Sequence, residues 1–285
     1  MTTTESSGSG DVSRSMELLW GTGERATRGP KPGLTLGRIV TAAIELADAE
    51  GLAAVSMRRL STELGAGTMS LYRHVPGRAE LVDLMLDRVQ GEGAHAPEPD
   101  TAEPGTAEPG TAEPGTAEPD AAQPDTADSA PAEPAPGWRK TVEKAARDEL
   151  ALYQAHPWLL SVNQTRPVLG PGAVGGMESM LAGIKDTGLS DPELISVIIM
   201  VSGYVSGVAR TQVHAVEVQQ VTGISDDEFW RAQEPMLSTV MTSGRYPLMA
   251  ALSPEAFGPD FDHFEFGLQR LLDGLEVLVE QRTKP

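Results

Sequence analysis

The chain has no cysteine among its 285 residues, which removes disulfides, thiolate zinc sites, iron–sulfur clusters and cysteine nucleophiles together. Residues 1–30 are polar and lack the apolar segment of a secretory signal. The longest apolar run, Leu194–Val201, falls far short of the roughly 20 residues that cross a bilayer. A soluble, cytoplasmic protein without membrane contact is therefore expected. Sustained period-two alternation is missing, so no sheet is expected either. His156, His214 and His263 are scattered, none of them in a His-x-x-x-His or Glu-x-x-His pair, and the sequence holds no Gly-x-Ser-x-Gly and no phosphate-cradling glycine loop. No catalytic residue, metal or cofactor is expected. Asp226-Asp227-Glu228 is an acidic cluster, but it reads as a helix start, where carboxylates favour the positive end of the dipole.

Charge is present but uneven. The net −19 is concentrated in residues 91–136, which carry 11 acids and no base. Between Arg25 and Arg78 the balance reverses to 8 bases against 4 acids. That short stretch is the place where a polyanion could sit.

Composition divides the chain into four parts. Residues 1–33 are polar and aperiodic, and read as a disordered tail ending in a basic arm of Arg25, Arg28 and Lys31. Residues 91–136 contain four pentapeptides from Thr101 to Asp120 with proline at every fifth position, which reads as a disordered acidic tether. The remaining blocks, 34–90 and 137–285, are helical in pattern. Helices are predicted over 35–50, 57–64, 68–74 and 78–90, then 138–155, 176–187, from Ser190 to about Gln220, and about 261–282. In the last, Phe261, Phe264, Leu268, Leu271, Leu275 and Leu278 are spaced 3, 4, 3, 4, 3, a helix-packing seam. Gly267 and Gly274 would let another helix come close.

Two short helices joined by Gly65-Ala66-Gly67 make a helix-turn-helix with a helix on either side. A recognition helix must be short, exposed and small-sided at its start. Gly67-Thr68-Met69-Ser70 fits, with small donors, an apolar group for a thymine methyl and no acid. Leu71 and Val75 are expected to face inward, and Tyr72, Arg73 and His74 lie where a phosphate backbone would pass.

The string Ser56-Met-Arg-Arg-Leu60-Ser-Thr-Glu-Leu64-Gly65-Ala-Gly-Thr68-Met-Ser-Leu71-Tyr72-Arg-His74-Val75, followed by Arg78-Ala-Glu-Leu81, resembles the TetR family of transcriptional regulators. Residues 138–282 resemble its tetracycline-repressor branch through Thr165-Arg166-Pro167, Phe264-Glu-Phe266-Gly267-Leu268 and Gly274-Leu275-Glu276. The resemblance implies an all-α protein. An N-terminal three-helix DNA-binding unit with its connecting helix would precede a C-terminal helical domain for ligand binding and dimerisation. It implies base contacts from Arg58, Thr68, Met69 and Ser70, and phosphate contacts from Ser56, Tyr72, His74 and Arg78. Arg58 suits bidentate guanine readout; the competing reading is a surface pair with Glu63. Where the branch places a histidine, an asparagine and a glutamate for its drug–magnesium complex, this chain has Val162, Ala145 and Arg210. The tetracycline–magnesium ligand is accordingly not expected.

In the C-terminal block Trp158, Asn163, Gln164, Met177, Met180, Tyr204, His214 and Trp230, together with Phe229 and Met236, suit an apolar pocket with sparse polar anchors; plain core is the alternative for each. The expected partners are a palindromic double-stranded operator, a small-molecule effector, and a second copy of the chain through the helices near 192–220 and 261–282. A helix seam within one chain competes with the last of these. An activator of the same fold, or a helical ligand-binding protein without DNA function, are the alternatives to a ligand-released repressor.

Overall fold

The computed structural model describes residues 5–21, 34–93, 137–257 and 261–283. The basic arm and residues 94–136 of the acidic tether lie outside them. The described residues form helices α1 (Val12–Leu19), α2 (Leu36–Glu50), α3 (Met57–Glu63), α4 (Thr68–Tyr72), α5 (Arg78–Gly93), α6 (Trp138–Ala155), α7 (Pro171–Ile184), α8 (Asp191–Thr222), α9 (Asp226–Thr242), α10 (Pro247–Ala250) and α11 (His263–Thr283). The all-α expectation is borne out. One small addition is a parallel pair of two-residue strands, β1 (Glu5–Ser6) and β2 (Val162–Asn163).

Local chemistry sets the boundaries. Thr35 caps α2 by accepting the Arg38 N–H at 3.3 Å, and Gly51 ends it with φ of 81°. Ser56 caps α3 through the Arg59 N–H at 3.2 Å. Ser190 and Ser225 open α8 and α9 with capping boxes that use Glu193 and Glu228. The acidic cluster at 226–228 thus lies at a helix start. Helix α7 begins at Pro171 rather than at 176, because proline suits the first turn, whose N–H groups need no helical partner.

Residues 5–21 depart from the expected disordered tail. Asp11 caps α1, and Ser7, Ser15 and Leu18 are buried. Leu18 and Leu19 of α1 join the first core, while the bonds that dock the segment are polar and long-range and leave no local pattern to read.

Two cores result. Ile39, Leu60, Leu71, Val75, Leu81 and Met85 fill the first, and Trp158, Leu159 and Val162 from the C-terminal block join them. Val142, Ala146, Ile184, Val201, Val205, Leu268 and Leu272 fill the second. The seam on α11 is used within the chain, and its second buried leucine is Leu272, not Leu271. Gly267 lies where a Cβ would strike the Tyr204 ring, so it serves the packing of α11 on α8, whereas Gly274 faces open space.

The connecting helix α5 crosses α7 at closest approach through two glycines. A Cβ on Gly172 would run into the Asp87 carbonyl, and one on Gly91 would sit 3.2 Å from the Gly172 Cα. The Asp87 carboxylate accepts the Ala173 N–H at 3.0 Å, in the first turn of α7.

Candidate nucleic-acid interface

The helix-turn-helix consists of α3, a turn and α4. Gly65 takes φ of 60°, a left-handed conformation that glycine adopts without strain, and the Ala66 N–H closes the turn on the Ser61 carbonyl at 3.0 Å. The Thr68 hydroxyl donates to Ser61 Oγ at 3.2 Å, which ties the start of α4 back to α3. Leu71 and Val75 are fully buried and anchor α4 from beneath. Its outer side is left to Met69, 76% exposed, and Tyr72, 43% exposed.

The predicted contact residues are mostly gathered on this surface. Arg58 is exposed, and no ion pair holds it among the described residues, Glu63 included. Thr68, Ser70 and His74 are half-buried at the edges. Ser70 Oγ accepts from the Arg73 guanidinium at 2.9 Å, and Arg59 is paired with Glu50 at 2.8 Å.

Arg78 departs from the expected role. Its guanidinium donates to the carbonyls of Val55 and Leu52, each at 2.7 Å, and pairs with Glu5. These acceptors flank the entry to α3. The side chain therefore locks the helix-turn-helix onto α5 instead of pointing outward to a phosphate.

The eight pocket residues do not converge. Trp158 lies in the first core, and its indole N–H donates to Asp48 Oδ1 at 2.8 Å; His156 Nδ1 is 2.8 Å from the same atom. Asn163 caps a turn by accepting the Thr165 N–H at 2.9 Å, and Gln164 accepts from Gln90 at 3.0 Å across the α5 junction. Met180 is core and Met177 half-buried. The Tyr204 hydroxyl donates to the carbonyls of His263 and Phe264, while its ring stacks on Phe264 at 5.9 Å. His214 and Trp230 are exposed. The candidate set mixes domain junction, core and outer surface because amino-acid type alone selected it.

Two features of the C-terminal unit carried no sequence signal. An open cleft of about 480 Å³ is lined by Val208, Thr211, Gln212 and residues Phe261 to Phe264. Between α6 and α8, Glu149 accepts from Ser202 at 3.0 Å and Tyr153 at 3.4 Å. Burial raises the Glu149 pKa, against the pull of those two hydrogen bonds. Burial, then the Glu149 charge, pushes the Tyr153 hydroxyl up as well. Val162, Ala145 and Arg210 offer no ligand set for a drug–magnesium complex; Val162 is core and Arg210 donates to the Leu160 carbonyl. Among the described residues no group of three or more histidines and carboxylates is placed to hold a metal.

An exposed, acid-free recognition helix on a helix-turn-helix, joined to a helical second unit, defines a DNA-binding regulator. Residues 39–85 match the family model for bacterial regulatory proteins of the tetR family, and residues 130–279 match the tetracyclin repressor-like C-terminal domain. The chain belongs to the TetR family. It is 55% identical over 279 residues to the HTH-type transcriptional repressor DrrR1 of Streptomyces coeruleorubidus, covering 98% of this chain and 91% of that one. Among solved structures it resembles the TetR family protein ActR of Streptomyces coelicolor. The complex with actinorhodin gives a TM-score of 0.59 at 28% identity, over 87% of this chain and 97% of ActR. The complex with (S)-DNPA gives 0.56 at 28% identity, over 87% and 99%. The protein is a DNA-binding transcriptional regulator, not an enzyme.

Proposed function

We propose that the chain is a cytoplasmic, homodimeric repressor that two recognition helices hold on a palindromic operator and that a small molecule releases. The carrying observation is the outer side of α4, where Met69 and Tyr72 stand exposed beside Thr68, with exposed Arg58 on α3. Arg58, Thr68, Met69 and Ser70 read bases; Ser56, Tyr72 and His74 contact phosphates. Arg78 is left out of the contact set and acts by positioning.

Dimerisation is supported by what the single chain leaves uncovered. In its most apolar 18 residues α8 has a mean hydropathy of 1.6, yet only 28% of them are buried. Ile195, Ile199 and Met200 are exposed there, as are Phe266 and Val277 on α11, and Gly203, Gly207 and Gly274 have nothing within contact of a Cβ. A second copy packed on these faces brings two reading heads to successive major grooves, roughly 34–36 Å apart. Helices α9 and α10 have no buried residue and project Phe229, Trp230 and Met236 outward. In a dimer this arm closes on the other copy and completes a ligand pocket.

Repression is supported by the 55% identity to DrrR1, and an effector resembling actinorhodin by the ActR complex. Selection of bound duplexes from a random library tests the reading. A two-fold symmetric site, released by actinorhodin or a close analogue, is expected. Absence of enrichment at low salt by folded protein would overturn it in favour of a ligand-binding protein without DNA function.

A further inference from the structure

Residues 5–20 grip both units of the molecule. On the DNA-binding side, the hydroxyls of Ser7 and Ser15 donate to Asp83 Oδ1 and Oδ2, each at 2.8 Å, and the Gly8 N–H adds a third bond at 2.9 Å. Asp83 is 1% exposed and has no cationic partner among the described residues. All three of its donors come from this one segment. The Asp11 N–H donates to buried Glu80 at 2.8 Å, and Glu5 pairs with Arg78. On the C-terminal side β1 pairs with β2, the Ser7 N–H donates to the Asn163 carbonyl at 3.0 Å, and the Trp20 indole donates to the Leu169 carbonyl at 3.1 Å. Ser7 Oγ also accepts the Val168 N–H at 3.2 Å, so one hydroxyl touches both units.

Without this segment, α5 meets the C-terminal unit mainly near residues 87–91, at the glycine crossing with α7 and the Gln90–Gln164 bond. The Asp48 bonds lie at the same end, since His156 also faces Glu92 at 3.8 Å. A helix held at one end keeps freedom to tilt. Arg78, which carries the helix-turn-helix, lies roughly 15 Å from that pivot at 1.5 Å per residue, so small tilts displace the reading head appreciably.

We propose that residues 5–20 are a strap that fixes the tilt of α5 and thereby the separation of the two reading heads, with Ser7, Ser15 and Asp83 as positioning residues for DNA recognition. The strap holds α5 at 78–83 while α7 holds it at 87–91, and two grips define the direction of a rod. This rests on the dimeric, operator-binding reading above.

The test uses the full chain and a set of duplexes in which the two half-sites are moved apart or together one base pair at a time. Each step rotates and shifts one head relative to the other. The double variant S7A/S15A leaves Asp83 one donor. It is expected to lose about tenfold in discrimination between the preferred spacing and its neighbours, the scale of one charge-assisted hydrogen bond, with affinity for an isolated half-site unchanged. Glu5→Gln, which removes only the charge facing Arg78, is expected to move the profile in the same direction by less, and keeps the test decisive if the double variant does not fold. Amide exchange at Gly8 and Val168 should be slow in the parent and faster in the double variant. An unchanged spacing profile alongside faster exchange would overturn the proposal, as would unprotected amides in the parent. Failure of the parent to bind any duplex would overturn the proposed function; the amides of Gly8 and Val168 then judge the strap alone.

Discussion

The indole N–H of Trp158 and the Nδ1 atom of His156 meet at a single oxygen, Asp48 Oδ1, each at 2.8 Å. Asp48 belongs to α2 and the other two to the turn after α6, so this oxygen is a rivet between the units. Trp158→Phe keeps most of the ring volume and removes the donor. It is expected to lower unfolding stability by about 1.5–3 kcal/mol, the range for a hydrogen bond to a charged group, in urea denaturation. Effector affinity should stay unchanged. A drop in affinity at unaltered stability would return Trp158 to the pocket wall.

Arg58 and Met69 face solvent, so their loss should leave thermal stability alone. Arg58→Ala is expected to relax discrimination at one position of each half-site by about 1–3 kcal/mol, measured by competition between single-base operator variants. Met69→Ala should act at a neighbouring position. Uniform weakening across all sequences would make Arg58 a phosphate contact instead.

Arg78 separates positioning from contact. Replacement by Ala takes the donor from the Val55 carbonyl, at a cost of about 1–3 kcal/mol for a group left unpaired, while the Leu52 carbonyl keeps the Val55 N–H at 3.1 Å. Both melting temperature and operator affinity should fall, while the slope of log affinity against log salt holds. A phosphate-binding cation would instead take about one unit from that slope, and this is the result that would reinstate it.

Glu193 should give the N-terminus of α8 a pH dependence. The backbone N–H of Ser190, then its hydroxyl, then Arg282 hold this carboxylate at a pKa of about 2 rather than the ordinary 4.5. A depressed pKa means the ionised form favours the folded state, so the stabilisation is complete above about 4.5. It is lost as pH falls from there toward about 2. Glu193→Gln should flatten that part of the stability profile in acid titrations followed by circular dichroism.

The helix-turn-helix was legible because its determinants are local. Ser56 caps, Gly65 turns, and Leu60, Leu71 and Val75 lie within twenty residues of one another. The α11 seam was legible as a helix but not in detail. A strict 3, 4 spacing chooses Leu271, whereas the residues buried in the structure, Phe264, Leu268, Leu272 and Leu275, step by 4, 4 and 3. The strap was illegible for a different reason. Its bonds join Ser7 to Asp83, 76 residues on, and Trp20 to Leu169, 149 residues on, through polar groups that read as surface. The inward bonds of Arg78 were illegible for the same cause: its acceptors include backbone carbonyls, which every residue supplies.

The uncovered arm sets how the folded state depends on amount. Val221 is 86% exposed and Leu248 84%, along a stretch in which no residue of α9 or α10 is buried. Surfaces of that kind are satisfied by association, and association obeys mass action. The melting temperature should climb with protein concentration, and dilution alone should loosen the arm before either core. With the proposed dimer as the form that grips DNA, a cell that makes little of this regulator holds not merely fewer copies but a smaller fraction in that form, so that occupancy falls more steeply than supply.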